Sequence, residues 1–424
     1  MSAISLEESL ASHQKGARLS DNDAAASKRE LRVLQVFSGL GMGGAETWLM
    51  SLLKYFHEHS ADLPVGIKFD VLLTSGEKAI FDDKARALGA RLFYLRFGRR
   101  NLMSFVQEFR QILARGNYDA IHHHQDYIAG LHFLFGVGFL PKARIVHVHN
   151  PLYHRSNYAT GFIRRITNYT GKLLISRLAT HVMGTSRQIL TEYGFHQSTL
   201  SDVVMNAAHC GFDVEVYQGD RAEAHADLCR EVGWPESAKV IIFVGRLEGA
   251  EMVYHGRMLS HKNPAFALDV ARECMAQDAR VHLAMVGDGE EKKKELEALV
   301  TDWGFPNNIR FLGLRSDVPR LMLGADLLLF PSLAEGLGMV VVEAQAAGLR
   351  VLASDTTPRE SVVIPELVDF LALTANRKQW AAEALRLLSL ELPDASRSNR
   401  KVKESAFSIE NSAARLVSLY SESC

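Results

Sequence analysis

The stretch Phe330-Pro-Ser-Leu-Ala-Glu335-Gly-Leu-Gly-Met-Val-Val-Val-Glu343-Ala-Gln-Ala-Ala-Gly348 decides how this chain is read. It follows Ala325-Asp-Leu-Leu-Leu-Phe330, a short apolar run of buried-strand type. The order is strand, glycine-bearing turn, helix. Backbone N–H groups at such a helix start, here Gly338, Met339 and Val340, can hold a phosphate. Glu335 stands at the mouth of the turn and Glu343 lies inside the helix. Carboxylates repel phosphate but accept hydrogen bonds from sugar hydroxyls, so a site that combines the two fits a nucleotide sugar.

Working outward, a series of apolar runs alternates with helical stretches. It begins with Leu31 to Phe37 and continues through Phe69–Leu73, Arg91–Leu95, Ala120–His122, Arg144–His147 and His181–Met183. A second series starts at Lys239 to Gly245 and runs through Val281–Gly287, Ile309–Leu312, Asp326–Phe330 and Arg350–Ala353. Such alternation predicts mostly parallel sheets covered by helices. A chain of 424 residues with 47% apolar composition has the length for two such cores. The hinge is expected near residues 206–216, where a strand gives way to turn-rich sequence.

Composition excludes several classes. The chain has 48 basic and 49 acidic residues, which gives no global attraction to nucleic acid. Cys210, Cys229, Cys274 and Cys424 show no CxxC spacing, so a reducing compartment without structural zinc is expected. The longest uncharged apolar run, Tyr127 to Leu140, is shorter than the roughly 18 residues of a membrane span. It reads as a buried helix or a helix followed by a strand. Residues 1–29 are polar and read as a mobile tail. The expectation is a cytoplasmic protein, with room for peripheral contact at the inner membrane face.

The first strand runs into Ser38-Gly39-Leu-Gly41-Met-Gly43-Gly44-Ala-Glu46, where glycines let a ligand approach the backbone closely. Its spacing is not that of the dinucleotide fingerprint. Arg246 ends the Lys239–Gly245 strand, and Lys262 precedes a helical stretch from Ala265 to Met275. Both suit a diphosphate, and Arg257 is the rival arginine. Three histidines, His122-His123-His124, end another strand. Neighbours on an extended chain point in alternating directions, and no Cys or acid stands at ligand spacing, so no metal is expected there.

Taken together, these motifs resemble the retaining glycosyltransferases of family four. The match runs from Leu31 to Tyr420. The resemblance implies an α/β protein of GT-B architecture: two facing Rossmann-like domains, an interdomain cleft, and a C-terminal helix crossing back to the first domain. The expected boundaries are a tail at 1–29, an acceptor domain at 30–210, a donor domain at 211–398 and the returning helix at 399–424.

It also implies roles. Glu343 matches the acid that holds the ribose, and Glu335 the one beside the donor sugar. Lys262 and Arg246, or Arg257 in its place, match the phosphate cations. Gly43 and Gly44 match a segment lining the cleft near the diphosphate, His124 a histidine near the sugar 6-hydroxyl, and Phe311 and Leu312 the stretch that brackets the base. The implied activity is metal-independent, retaining transfer of a hexose or N-acetylhexosamine from a UDP- or GDP-linked donor. No cofactor is implied. The acceptor is a hydroxyl, lipid-linked in many members, in bacterial polysaccharide, glycolipid or natural-product assembly. The alternatives are a nucleotide-sugar epimerase or hydrolase of the same fold, and a non-catalytic nucleotide-sugar binder.

One region stands apart in charge. Between Tyr127 and Thr191 there is no Asp or Glu, while Lys142, Arg144, Arg155, Arg164, Arg165, Lys172, Arg177 and Arg187 all fall there. Arg164, Arg165 and Lys172 lie in a basic amphipathic stretch, which is expected to meet an anionic membrane or a phosphate-bearing acceptor.

Overall fold

The computed structural model describes residues 29–63, 65–151, 162–195, 203–248, 251–254, 257–301, 303–305 and 307–422. The expected tail before residue 29 lies outside the described residues, as do Arg155, Gly256, Cys424 and the side chains of Arg164 and Arg257.

Seven parallel strands form the first sheet: β1 (Glu30–Phe37), β2 (Gly66–Leu73), β3 (Arg91–Tyr94), β4 (Ala120–His123), β5 (Ala143–Val148), β6 (His181–Gly184) and β7 (Val204–Ala207). Their spatial order is β3-β2-β1-β4-β5-β6-β7. The second domain contains β8 (Lys239–Val244), β11 (Val281–Val286), β12 (Ile309–Gly313), β13 (Leu327–Phe330), β14 (Arg350–Ser354) and β15 (Val368–Leu371), in the parallel order β12-β11-β8-β13-β14-β15. Between β8 and β11 lies an antiparallel hairpin of β9 (Glu251–Tyr254) and β10 (Arg257–Ser260). It fills the insertion that separates Arg246 from Lys262.

Both central strands are mainly apolar, with Arg32 and Gln35 the polar residues inside β1, because helices cover both faces of each sheet. Leu31 and Val33 of β1 face one core cluster, and Leu34 and Val36 the opposite one, all fully buried. In β8, Ile241 and Ile242 divide in the same way between the two faces. Strand order reverses between β1 and β4 in the first sheet and between β8 and β13 in the second. Loops leaving the carboxyl ends of strands on either side of such a reversal diverge and leave a crevice. Those loops carry Gly39 to Gly44, His124, Arg246 and Glu335.

After Tyr127 the chain forms a helix, Ile128–Gly136, then turns at Gly138 (φ 92°), and the next strand begins only at Ala143. Of the two readings of that apolar run, the helix is correct and no strand follows it directly. The chain returns as expected. The helix Ala395–Lys403 packs on the second domain, with Val402 fully buried and Asn399 Nδ2 donating to the carbonyl of Val214 at 2.8 Å. The final helix, Ile409–Glu422, then joins the first-domain core through Ile409, Ala413, Leu416 and Tyr420. Trp48 Nε1 donates to Ser412 Oγ at 3.1 Å and ties it there. The fold is therefore two Rossmann-like domains of GT-B type, joined at a cleft and closed by a C-terminal crossover.

Candidate active site

On the second-domain side, Lys262 reaches the site from the turn after β10, and its Nζ lies 2.6 Å from Glu335 Oε1. Both side chains are largely buried, 17% and 9% exposed, so this pair is little screened by solvent. Ser332 Oγ donates to the same carboxylate oxygen at 2.5 Å, and Lys262 Nζ lies 5.0 Å from the Phe330 ring centroid. A Cβ on Gly245 would touch the Lys262 side chain, so the glycine at the end of β8 leaves room for the lysine. Gly287 (φ 154°) passes so close to the Gly245 carbonyl that a side chain would collide with it.

Gly338 (φ 84°) starts the helix Met339–Ala346, and no side chain caps that helix start. A left-handed backbone is readily adopted only by glycine at this point. Met339 packs against the cores of both domains. One turn on, Glu343 is bonded to the Tyr217 hydroxyl. Burial raises its carboxyl to about 7, opposed by that hydrogen bond and by the charge of Lys262. Tyr217 is buried, and its own hydroxyl is pushed well above its usual value, mainly by burial and then by the charge of Glu343. Phe311 and Leu312 lie at the carboxyl end of β12, half-buried, packed toward opposite faces of the sheet.

On the first-domain side, Gly43 precedes the helix Gly44–Glu58 without a side-chain cap. Glu46 in its first turn has its carboxyl raised, mainly by burial; its own backbone and the charge of Arg246 lower it. Arg246 is exposed at the carboxyl end of β8, and its charge reaches Glu46 of the first domain. Arg257 starts the second hairpin strand, opposite Tyr254. The domains meet where Ser186 Oγ donates to the Gly336 carbonyl at 2.7 Å and Arg187 N donates to Glu360 Oε1 at 2.8 Å. A Cβ on Gly336 would strike the carbonyl of His149, so the loop that carries Glu335 lies against the end of β5.

The histidines alternate as an extended chain requires. His123 turns to one face and bonds His132 Nδ1 through its Nε2 at 2.7 Å. His122 and His124 turn to the other face, beside His147 and His149 from β5 and the Trp48 ring. His124 has both ring nitrogens engaged. Nε2 lies 2.8 Å from Gln35 Oε1, and Nδ1 lies 2.8 Å from His149 Nε2. A neutral imidazole has one N–H and one lone pair, so these two bonds use its whole capacity. Half-buried His149 sets its backbone carbonyl against the Glu335 loop, while its ring lies between His124 and Cys210, Nδ1 being 3.8 Å from Cys210 Sγ. Burial holds His124 well below its ordinary value, and burial with the charge of His122 lowers His149 to about 3.

Nitrogens of His122, His124 and His147 come within 4.8 Å of one another, the spacing of a candidate metal group. Of their ring nitrogens, His122 Nε2 and His147 Nδ1 have no hydrogen-bond partner among the described residues, and the others are engaged. His124 is saturated, His122 Nδ1 is bonded to the Tyr420 hydroxyl at 2.7 Å, and His147 Nε2 to the Ala208 carbonyl at 3.1 Å.

The sequence-expected residues thus gather from both domains: Glu335, Lys262, Glu343, Gly338, Met339 and Val340 on one side of the cleft, and Gly43, Gly44 and His124 on the other. Arg246 points across. Sequence reasoning passed over His149, Tyr217 and Ser332. The His147-Val-His149 run repeats the His122-x-His124 spacing at the end of the adjacent strand, a signal that was present. Tyr217 and Ser332 had no comparable local mark. In the basic region, Arg165 is exposed, whereas Lys172 turns toward the Phe195 ring, its Nζ 5.9 Å from the centroid. Arg144 is committed to the carbonyls of Leu178, Pro141 and Lys142.

Comparison with known proteins agrees with this geometry. Residues 42–204 match the model for "Glycosyltransferase Family 4", and residues 246–406 that for "Glycosyl transferases group 1". The chain is 26% identical to EpsF of Bacillus subtilis over 397 residues, covering 92% of this chain and 96% of that protein. It is 22% identical to the capsular polysaccharide biosynthesis glycosyltransferase CapH of Staphylococcus aureus, covering 85% and 91% respectively. Among solved structures, Anabaena HepE in complex with UDP superposes with a TM-score of 0.71 at 18% identity, covering 93% of this chain and all of that one. With one family model on each domain and relatives matched along nearly their whole length, the chain belongs to the GT-B glycosyltransferases, related to family 4 and group 1.

Proposed function

We propose that the protein transfers a hexose or N-acetylhexosamine from a UDP- or GDP-linked donor to a hydroxyl acceptor, with retained anomeric configuration and without a metal. The observation that carries this reading is the buried Lys262–Glu335 pair beside the uncapped helix start at Gly338. It sets a cation and backbone N–H groups for a diphosphate next to a carboxylate for sugar hydroxyls. HepE was solved with UDP, which favours uridine over guanosine.

In the proposed step, the bond between the anomeric carbon and the β-phosphate oxygen breaks. The acceptor oxygen bonds to the same face, and its proton passes to the departing phosphate. Lys262, Arg246 and the N–H groups of Gly338, Met339 and Val340 take up the charge developing on the diphosphate. Glu343 accepts from the ribose, Glu335 orients the sugar, and the His124–His149 pair faces its far hydroxyls from the first domain. Gly43 and Gly44 leave space for the diphosphate, and Phe311 and Leu312 flank the base. An epimerase or hydrolase would share the donor contacts but would need no second hydroxyl substrate. A thermal-shift series with UDP-, GDP- and dTDP-sugars tests the reading. One nucleotide class should raise the melting temperature, by an amount that grows with concentration, because it binds only the folded state. No shift with any of them would remove the donor site.

The basic region supports a second element of the proposal, a lipid-linked acceptor met at an anionic membrane. Among the described residues no helix is long and apolar enough to cross a membrane. The helix Phe162–Leu178 does expose Ile166, Tyr169 and Leu173 along one side, and Leu134, Val137 and Phe139 are exposed at and after the end of the helix it packs on. Apolar side chains flanked by Arg165 and Arg177 suit an interfacial surface. The protein should sediment with anionic vesicles at low salt and release as salt rises. Replacing Arg164, Arg165 and Lys172 together with Gln should weaken that binding by about 1 kcal/mol per surface charge, and least through Lys172, which is turned aside. Equal binding to neutral vesicles would mean the charges play no part.

A further inference from the structure

Tyr420 belongs to the last helix of the chain, yet its hydroxyl stands at the centre of the histidine cluster. The ring is fully buried. Gln35 Nε2 donates to the Tyr420 oxygen at 3.2 Å, and that oxygen lies 2.7 Å from His122 Nδ1. The other end of the same amide, Gln35 Oε1, accepts from His124 Nε2.

The Gln35 amide sets the direction of the bonds on the His124 side. A carboxamide oxygen only accepts, so His124 carries its hydrogen on Nε2 and offers a bare Nδ1. His149 Nε2 must then donate to His124. At the other end, the Tyr420 oxygen receives the Gln35 N–H and lies 2.7 Å from His122 Nδ1, a contact for which either group can supply the hydrogen. The series runs His149, His124, Gln35, Tyr420, His122, every partner buried or half-buried. Burial keeps the rings neutral, so one hydrogen per ring is the only pattern open to them.

We propose that Tyr420 is a positioning residue for sugar transfer, acting through Gln35 to fix the ring plane and tautomer of the His124–His149 pair. This rests on the reading that the pair faces the donor sugar. With the hydroxyl present, the Gln35 amide is held at both ends. Without it, the amide is tied at one end only, and His124 gains a second tautomer. The crossover helix therefore does more than close the fold. It delivers one oxygen that holds the far end of the Gln35 amide.

The test is the isosteric Tyr420→Phe variant of the full chain, with Gln35→Leu as an independent second. Each should lower kcat about ten- to a hundredfold, the cost of misplacing a catalytic contact. The KM for the donor should stay near the wild-type value, because the nucleotide is held by the other domain. The double variant should be no slower than the slower single one, since both cut the same series. Ser412→Ala removes the Trp48 bond from the same helix but leaves the series intact, and should keep the wild-type kcat. In nitrogen NMR of labelled histidine, wild-type His124 should show a single protonated Nε2, and Tyr420→Phe should show a mixture. A wild-type kcat in Tyr420→Phe, or an equal loss in Ser412→Ala, would overturn the proposal. His149→Asn separates the two levels. If it is slow while Tyr420→Phe is normal, the histidine reading survives and the Tyr420 role is lost. If His149→Asn turns over normally, the reading falls and takes the proposal with it.

Discussion

Lys262→Ala is expected to lose at least about thirtyfold in kcat/KM, since truncating one member of a buried charged contact costs about 2–5 kcal/mol. Two losses combine in this variant. The departing diphosphate has one cation fewer, and Glu335 is left with a buried carboxylate that had its lysine 2.6 Å away. The second loss also destabilises the fold, by about 3–5 kcal/mol for a one-sided break of such a pair. The double variant Lys262→Ala/Glu335→Gln separates the two, because it removes the orphaned charge. Its melting temperature should recover much of the difference, while turnover should stay low. Arg246→Ala should resemble Lys262→Ala in kinetics without the fall in stability, because Arg246 is exposed. Arg257→Ala should be mild. If Lys262→Ala keeps wild-type kinetics at saturating donor, the lysine is not a phosphate ligand.

The second large effect is a pH dependence set by Glu343. Its carboxyl titrates about 7, well above the ordinary 4.5, because burial penalises the charged form more than the Tyr217 hydrogen bond and the Lys262 charge favour it. Two consequences have opposite signs. For stability, a raised folded value favours the protonated state; that contribution is fully present below the ordinary carboxyl value and is lost as pH rises through about 7. For donor binding, the ribose needs the carboxylate as acceptor, so kcat/KM should fall about tenfold per unit as pH drops below about 7. Glu343→Gln should abolish this acid limb, with weaker donor binding at high pH. It should also remove the stability change over the same window. An acid limb unchanged in Glu343→Gln would assign the titration to another group.

Much of the fold was legible because buried parallel strands need continuous apolar runs, and Leu31–Phe37, Lys239–Val244 and Val281–Val286 leave no other use for such residues. One short edge strand escaped notice. Val368-Asp-Phe-Leu371 is half-buried at the sheet edge beyond β14 and carries a weaker pattern. The hairpin Glu251–Tyr254 with Arg257–Ser260 was visible only as an insertion. Spatial strand order could not be read from one sequence, yet the two reversals it creates are what bring Glu335, Arg246 and the histidine pair to one crevice.

The candidate site divides along the same physical line. Residues recognised by local spacing, such as Glu335, Glu343 and Lys262, were found because strand, glycine turn and helix are contiguous in the chain. Residues that act across long separations were not. Tyr217 meets Glu343 from the linker side, and Tyr420 meets Gln35 and His122 from the far end of the chain. His124 was legible from its own motif, whereas its partner His149 comes from the end of the adjacent strand. The hydrogen bonds show His124 engaged at both ring nitrogens, one of them by His149 from the neighbouring strand end.

The central claim is that one nucleotide sugar is gripped by the second domain through Lys262, Glu343 and the helix start at Gly338, with Glu335 beside its sugar. A crystal structure of the protein with its bound donor measures this most directly. The account predicts a ribose hydroxyl on the Glu343 carboxylate, the diphosphate against Lys262 and the N–H groups of Gly338, Met339 and Val340, and a sugar hydroxyl on Glu335. A donor seated with neither carboxylate within hydrogen-bond distance would contradict it.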